Sequence, residues 1–273
     1  MFMPLNRRSL MLAPAFVLAL SVSALSQETV QRDVPFVPTP ETVVKRMLEL
    51  AEIKKGEFMM DLGSGDGRIA IAAARDHGAR ALGIDIDPQR IKEANENAAK
   101  AGVTDRVTFK RENLFETPIK DADVITMYLL TSVNQKLRPR LLDELRPGTR
   151  LVSHAFNMGD WEADVHEKVD GRDVYLWIVP AKAGGQWAVK NGAQSFTLDI
   201  DQRFQEVKGN ATIDGKSVPI TNGKLDGEQI VFTVQIGDKP ATFQGKVNGD
   251  KIEAMSGPTA TQKDWSATRA SRG

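Results

Sequence analysis

The stretch Met60-Asp61-Leu62-Gly63-Ser64-Gly65-Asp66-Gly67-Arg68 sets three glycines at alternate positions between an apolar run and an alanine-rich one. Glycines let a turn adopt positive φ and let the backbone approach a ligand closely. A turn that grips a pyrophosphate spaces its glycines G-x-G-x-x-G. Here the third glycine arrives one residue early, and Arg68 stands in the expected place. Two carboxylates, Asp61 and Asp66, also lie at this turn. They would repel a phosphate brought into a partly desolvated site. The chemistry that suits such a turn is capture of a ligand bearing a cationic amino acid group.

S-Adenosylmethionine has that character, with an α-ammonium, a sulfonium and no phosphate. Asp61 can accept a hydrogen bond from the ammonium or order water at it. Asp85 ends the run "ALGID", about twenty residues past the loop, where a carboxylate can accept from both ribose hydroxyls. Dinucleotide enzymes share that feature, so Asp85 alone does not discriminate. Asn113, within Glu112-Asn113-Leu114, can turn its amide oxygen toward an adenine amino group. Ser64, Ile86 and Leu114 adjoin these residues and complete the expected cofactor contacts. Each carboxylate has a plainer reading as a solvated loop residue or helix cap, but three successive strand ends together favour cofactor binding.

The acceptor side falls on "MYLLTSVN" (127–134). Tyr128 is a candidate wall of an acceptor channel, or else a buried strand aromatic. His154, closing "TRLVSH", is a candidate general base, or else a satisfied core histidine. Methyl transfer is an in-line displacement at a carbon already activated by the cofactor's sulfonium, and needs mainly positioning and exclusion of water, so no metal is expected. Were the acceptor a lysine, its amine would first have to lose a proton held with a pKa of about 10.4.

The elements that must position these residues follow from hydrophobic spacing. Val43, Val44, Met47, Leu48 and Leu50 predict a helix starting at Thr39 or Pro40 and stopped by Gly56. "EFMMDLG", "RALGIDID", "RVTFKREN", "ADVITMYL" and "TRLVSHAF" predict five strands. Helices over 69–77, 88–101 and 134–145 alternate with them. "EADVHEKV" and "DVYLWIVP" predict a final hairpin across Asp170-Gly171. This order predicts a doubly wound parallel α/β sheet with a last antiparallel pair. Beyond Ala183-Gly184-Gly185 the pattern changes to short alternating runs separated by Asp214-Gly215, Asn222-Gly223, Asp226-Gly227 and Asn248-Gly249. Such turn pairs favour tight hairpins, predicting a small all-β meander domain over 187–273, rolled on itself or folded as a sandwich.

At 273 residues, 41% hydrophobic and 26% charged, the chain can bury one large core or two ordinary ones. Basic and acidic residues balance at 36 each, so no excess of positive charge indicates a nucleic-acid partner. Cysteine is absent, which excludes disulfides, zinc-thiolate sites and thiol nucleophiles. The N-terminus has a basic pair, Arg7-Arg8, an apolar core from Leu10 to Val22, and small residues Ala24 and Ser26. That is the layout of a cleavable signal peptide over 1–26, and the apolar run is short for a membrane span. Arg7-Arg8-Ser9-Leu10-Met11 also resembles a twin-arginine signal, so a periplasmic address is expected. Residues 27–37 would then be a linker, and 38–183 the α/β domain. If the signal is not used, the protein stays in the cytoplasm.

"DLGSGDGR", "GIDIDP" and "NLF" resemble the successive motifs of class I, seven-β-strand S-adenosylmethionine-dependent methyltransferases, from about Phe36 to Pro180. "PFVPTPETVVKRML" and "DLGSGDGRIAIAAA" are further similar to the lysine methyltransferases of the ATP synthase c subunit and the adenine nucleotide translocase. The resemblance implies a Rossmann-like seven-stranded sheet, with Pro38 and Thr39 covering the cofactor and Asp61, Gly63, Gly65, Asp85 and Asn113 holding it. It implies a methyl acceptor that could be a protein lysine. The Asn/Asp-Pro-Pro-Tyr signature of adenine and glutamine-amide methylation is missing from 127–134. Two other readings stand beside the enzyme: an exported protein that keeps the fold without turnover, and an envelope ligand-binding module acting through the β domain.

Overall fold

Each apolar run bounded by glycine, proline or charge becomes a strand in the protein's structure, a computed structural model that describes residues 34–272. The expected signal peptide and most of the linker lie outside the described residues. Residues 32–273 form one compact unit. Within it, helix α1 (Glu41–Leu50) precedes strands and helices that alternate except between β3 and β4: β1 (Phe58–Leu62), α2 (Arg68–His77), β2 (Arg80–Asp85), α3 (Pro88–Ala101), β3 (Val107–Arg111), β4 (Val124–Met127), α4 (Thr131–Glu144) and β5 (Arg150–His154). A hairpin of β6 (Val165–Val169) and β7 (Arg172–Ile178) follows.

These strands form one seven-stranded sheet in the order β3-β2-β1-β4-β5-β7-β6. β1 to β5 run parallel, and β7 is antiparallel to β5 and to β6. The strand order reverses beside β1, with β2 on one side and β4 on the other. Such a switch point opens a crevice at the carboxyl ends of the strands, where ligands bind. Apolar side chains from α1, α2 and α3 pack on one face, with alanines 70, 72, 73 and 74 buried. Those from α4 pack with Trp161 and Trp177 on the other. Small residues on α2 let the helix press close to the sheet, as its alanine content foretold.

Two boundaries differ from the sequence reading. α1 ends at Leu50, capped by Ala51, rather than at Gly56; residues Ile53–Gly56 instead form the turn that enters β1. α4 starts at Thr131, three residues earlier than expected, and holds Pro139 within it. A run read as acceptor loop is therefore partly the first turn of a helix.

The second sheet comprises β8 (Gly185–Asn191), β9 (Gln194–Arg203), β10 (Glu206–Ile213), β11 (Lys216–Pro219), β12 (Thr221–Asp226), β13 (Gln229–Ile236), β14 (Lys239–Asn248), β15 (Lys251–Ala254) and β16 (Trp265–Ser271). All pair antiparallel. β11 and β12 pair in turn with β10, so they act as one bent strand. β16 returns to pair with β8, and β9 pairs with β10, which closes an up-and-down barrel. Closure removes the free edges a sandwich would leave. Phe232 stacks on Phe243 at 5.1 Å, and Trp265 meets both rings edge-on. With Trp187, Phe196 and Leu198 also buried, side chains fill the barrel interior.

Candidate active site: the carboxyl edge of the parallel sheet

The glycine loop follows β1 and sits at the switch point. Backbone N–H groups of Gly63 and Ser64 both donate to the Ile84 carbonyl, at 2.9 and 2.8 Å. Gly63, Gly65 and Gly67 have φ of 79°, 52° and 80°, which side-chain-bearing residues rarely adopt. At Gly67 a β-carbon would also come within 2.9 Å of the Ala94 methyl. The alternate-glycine spacing thus reflects backbone geometry and close helix packing together.

Asp61 is buried, 2% exposed. It lies in register with Thr126 of β4, whose hydroxyl donates to Oδ1 at 2.7 Å. Its other oxygen, Oδ2, is buried without a hydrogen-bond partner among the described residues. Burial pushes the carboxyl up to about 7, against the Thr126 hydrogen bond, and the nearby Asp85 and Asp66 charges add to the rise. A cationic group is the natural partner for such an acceptor. Ser64 Oγ is likewise buried and unpartnered.

Asp66, expected to add negative charge, is instead neutralised. The Arg68 guanidinium donates to both its oxygens, with Nε at 3.0 and 3.1 Å, and Nη1 reaches the Thr39 carbonyl at 2.8 Å. Arg68 therefore ties the loop to the segment preceding α1. The negative charge left for a ligand is that of Asp61 and Asp85. Asp85 Oδ2 accepts from the Gly65 N–H and Oδ1 from the Asp87 N–H, both at 2.9 Å. These bonds fix the carboxylate while each oxygen keeps further acceptor capacity. Ile86 beside it is 38% exposed.

Phe36 lies over the loop, because a β-carbon at Gly65 would strike its ring. Arg90 stacks on the other side of Phe36, 4.6 Å from the centroid. Sequence reasoning passed over Phe36, although its place just before Pro38 and Thr39 was the available signal. Pro38 is exposed and Thr39 buried. Asn113 folds on its own turn, accepting from the Phe115 N–H at 3.0 Å and donating to Glu116 at 2.9 Å. Its amide oxygen retains one acceptor position. Leu114 is half-buried beside it.

Thr39, Tyr128 and His154 come together, which neither their spacing nor their types required. Thr39 Oγ1 lies 3.1 Å from His154 Nδ1. The Tyr128 and His154 rings are 3.9 Å apart, and Phe156 stacks beyond Tyr128 at 6.1 Å. His154 is 1% exposed, and burial, with the charge of Arg172, pulls its pKa down to about 4. It is neutral at pH 7. Its Nε2 has no partner among the described residues. The other two candidates, Asp85 and Asn113, lie toward β2 and β3, at the opposite side of the loop.

Comparison with known proteins agrees with this geometry. The sequence model of the ANTKMT methyltransferase domain matches residues 61–165. A protein-lysine N-methyltransferase of Saccharolobus islandicus is 47% identical over 151 residues, covering 54% of this chain and 94% of that protein. The chain belongs to the S-adenosylmethionine-dependent methyltransferases. This methyltransferase is also 34% identical to mouse adenine nucleotide translocase lysine N-methyltransferase, spanning 56% of the relative's length. An RNA methyltransferase of Salinibacter ruber, solved with S-adenosyl-L-homocysteine, is 56% identical, with a TM-score of 0.52. That match covers 53% of this chain and 94% of the solved one. Its cofactor is S-adenosylmethionine, and the residues fit it: unpartnered acceptors at Asp61 and Ser64, a fixed carboxylate at Asp85, and a loop open to close approach.

Proposed function

We propose that this methyltransferase acts on a protein lysine. The observation that carries the reading is the uncharged aromatic wall of Tyr128, His154 and Phe156, just past the strand whose Thr126 hydroxyl bonds the buried Asp61. Asp61, with Ser64 and the loop amides, would hold the amino acid end of the cofactor, and Asp85 the ribose. The cofactor supplies a methyl group on a sulfonium, open to displacement by an amine. For that displacement the amine must be neutral. A dry wall with a neutral histidine and two aromatic rings lowers an ammonium's pKa by desolvation and adds no carboxylate to oppose it. The half-buried Tyr128 would orient the amine lone pair through its hydroxyl, with the buried His154 ring packed behind it. The identity to the Saccharolobus enzyme supports a lysine acceptor, and so does the balanced charge, which offers no broad basic surface to a phosphate backbone.

The name of the Salinibacter relative favours a second acceptor, RNA. The two readings separate in one experiment. Purified protein is given tritiated S-adenosylmethionine and a whole-cell lysate, and the labelled fraction is divided between protease and ribonuclease. Label released by protease, and recovered as methyl-lysine after hydrolysis, is expected. Label released by ribonuclease overturns the lysine reading, and cofactor binding without any transfer favours a protein that keeps the fold without turnover. Residues 1–26 act, in this reading, as a cleaved export signal. The support for that is the sequence pattern alone.

A further inference from the structure

The barrel meets the α/β layer at the β9–β10 turn, besides Lys224, which pairs with Asp164 at 3.4 Å, and Gly227, which lies against Gly148. Between β9 and β10, Phe204 holds a φ of 55°, a left-handed conformation uncommon for a bulky side chain. That conformation aims its ring at Trp161, stacked at 5.5 Å and 17°. Arg138 of α4 lies over the ring of Phe204, 5.1 Å from its centroid. The next residue, Gln205, is buried. Its Oε1 accepts from the Trp161 indole at 2.8 Å, and its Nε2 donates to the Glu162 carbonyl at 2.9 Å. A side-chain amide bonded through both its oxygen and its nitrogen across such an interface specifies position as well as affinity.

The segment this turn grips is the connection from β5 to β6. It begins at Ala155, with a φ of 64°, directly after His154, and carries Phe156 of the aromatic wall. Asn134 of α4 ties it from beneath, donating to the Phe156 and Asn157 carbonyls at 3.0 and 3.2 Å. Its far end is held by Trp161, whose carbonyl accepts from the Trp177 indole at 2.9 Å. Asp160 adds ion pairs to Arg138 and, at 2.8 Å, to Arg203 of the barrel. One end of the loop is thus the acceptor wall, and the other is bolted to the barrel.

We infer that Phe204 and Gln205 are positioning residues of the methyl-transfer site: through Trp161 they hold the loop 155–164, and so fix Phe156 and Tyr128 against the acceptor. The barrel is then a brace for the catalytic half rather than a separate ligand carrier, in keeping with its filled interior. The cofactor pocket lies on the other side of the sheet's switch point, held by the glycine loop and Asp85, which the turn does not touch. Disturbing the turn should loosen the wall and leave the cofactor pocket intact. This rests on the assignment of the wall to the acceptor side, but the readouts below are independent of which acceptor is used.

The test compares the full chain with Phe204→Ala, Phe204→Tyr and Gln205→Ala. Backbone hydrogen exchange is followed in segments 155–164 and 61–68, with the affinity for S-adenosylhomocysteine measured alongside. Backbone hydrogen exchange in β13 and β14 (229–248) shows whether the barrel stays folded. Phe204→Ala and Gln205→Ala are expected to speed exchange in 155–164 by about tenfold or more, with segment 61–68 unchanged and product affinity within about twofold. Phe204→Tyr, which keeps the stack, should restore wild-type exchange. The His154 imidazole resonance should begin to titrate between pH 5.5 and 7.5 only in the loosened variants. Unchanged exchange and titration in both alanine variants with the barrel intact would overturn the inference. Equal acceleration in 61–68 would also overturn it, since the effect would then be general destabilisation. Failure of wild type to bind the product would instead count against the cofactor site, while leaving the exchange result readable.

Discussion

Asp61 gives the sharpest test of how the site recognises a cation. Its carboxyl is raised to about 7 chiefly by burial, so the free protein holds it partly protonated near neutral pH. A bound ammonium requires the ionised form. At pH 6.0 about one tenth of the protein has Asp61 ionised, and at pH 7.5 about three quarters. Affinity for S-adenosylhomocysteine should therefore rise about eightfold over that interval, or about 1.2 kcal/mol. The ligand's ammonium belongs to a free α-amino acid, which is more basic than a peptide's terminal amine, so it keeps its proton throughout that interval. Binding at pH 7 should release a fraction of a proton, visible in calorimetry as a heat that depends on the buffer's ionisation enthalpy. The same shift acts on stability with the opposite sense. Between the unfolded value near 3.8 and the folded value near 7 the native state holds a proton that the unfolded chain does not. That stabilising share is complete below the unfolded pKa and is lost as pH rises through the folded one, with an upper bound of about 4 kcal/mol. Asp61→Asn keeps the shape and removes the titration. In that variant affinity should be weaker at pH 7.5 and flat with pH. A flat profile in the wild type, or an unchanged slope in Asp61→Asn, would refute the account of Asp61 as the ammonium's partner.

Asp85→Ala should weaken product binding by about 2 kcal/mol, because it removes the ribose acceptor and the brace on the Gly65 N–H; calorimetry showing equal affinity would take Asp85 out of the site. Ending the chain after Ala183 should leave an α/β piece that still binds S-adenosylhomocysteine, since its sheet is complete by Ile178, but that has lost methyl transfer for want of the Phe204–Gln205 turn; a fragment that transfers at the full rate would show the barrel to be dispensable. If residues 1–26 carry export, the mature chain begins at Gln27, and changing Arg7-Arg8 to Lys-Lys should trap the precursor in the cytoplasm under a twin-arginine route while an ordinary secretory route tolerates it. N-terminal sequencing that finds Met1 retained would show that no signal is cleaved.

The sequence by itself determined the parallel sheet, its helices and the nature of the ligand. Period and punctuation did this locally: alanines over 70–74, glycines at 63, 65 and 67, and a carboxylate at the end of each of the first two strands. Those signals sit within one turn or strand and need no distant partner to be read. The kind of charge at the loop was only half legible. Asp66 counted as an acid until the fold showed Arg68 bent back on it, a matter of side-chain direction rather than residue type. The tertiary structure alone brought Thr39, Tyr128 and His154 together, because they lie on three segments far apart in sequence and meet only once β4 and β5 pair. It alone decided that the all-β segment closes as a barrel, since turn dipeptides fix hairpins but closure depends on β16 reaching β8. And it alone joined Phe204 and Gln205 to Trp161, a contact between two sheets that no local pattern of hydrophobicity or charge encodes.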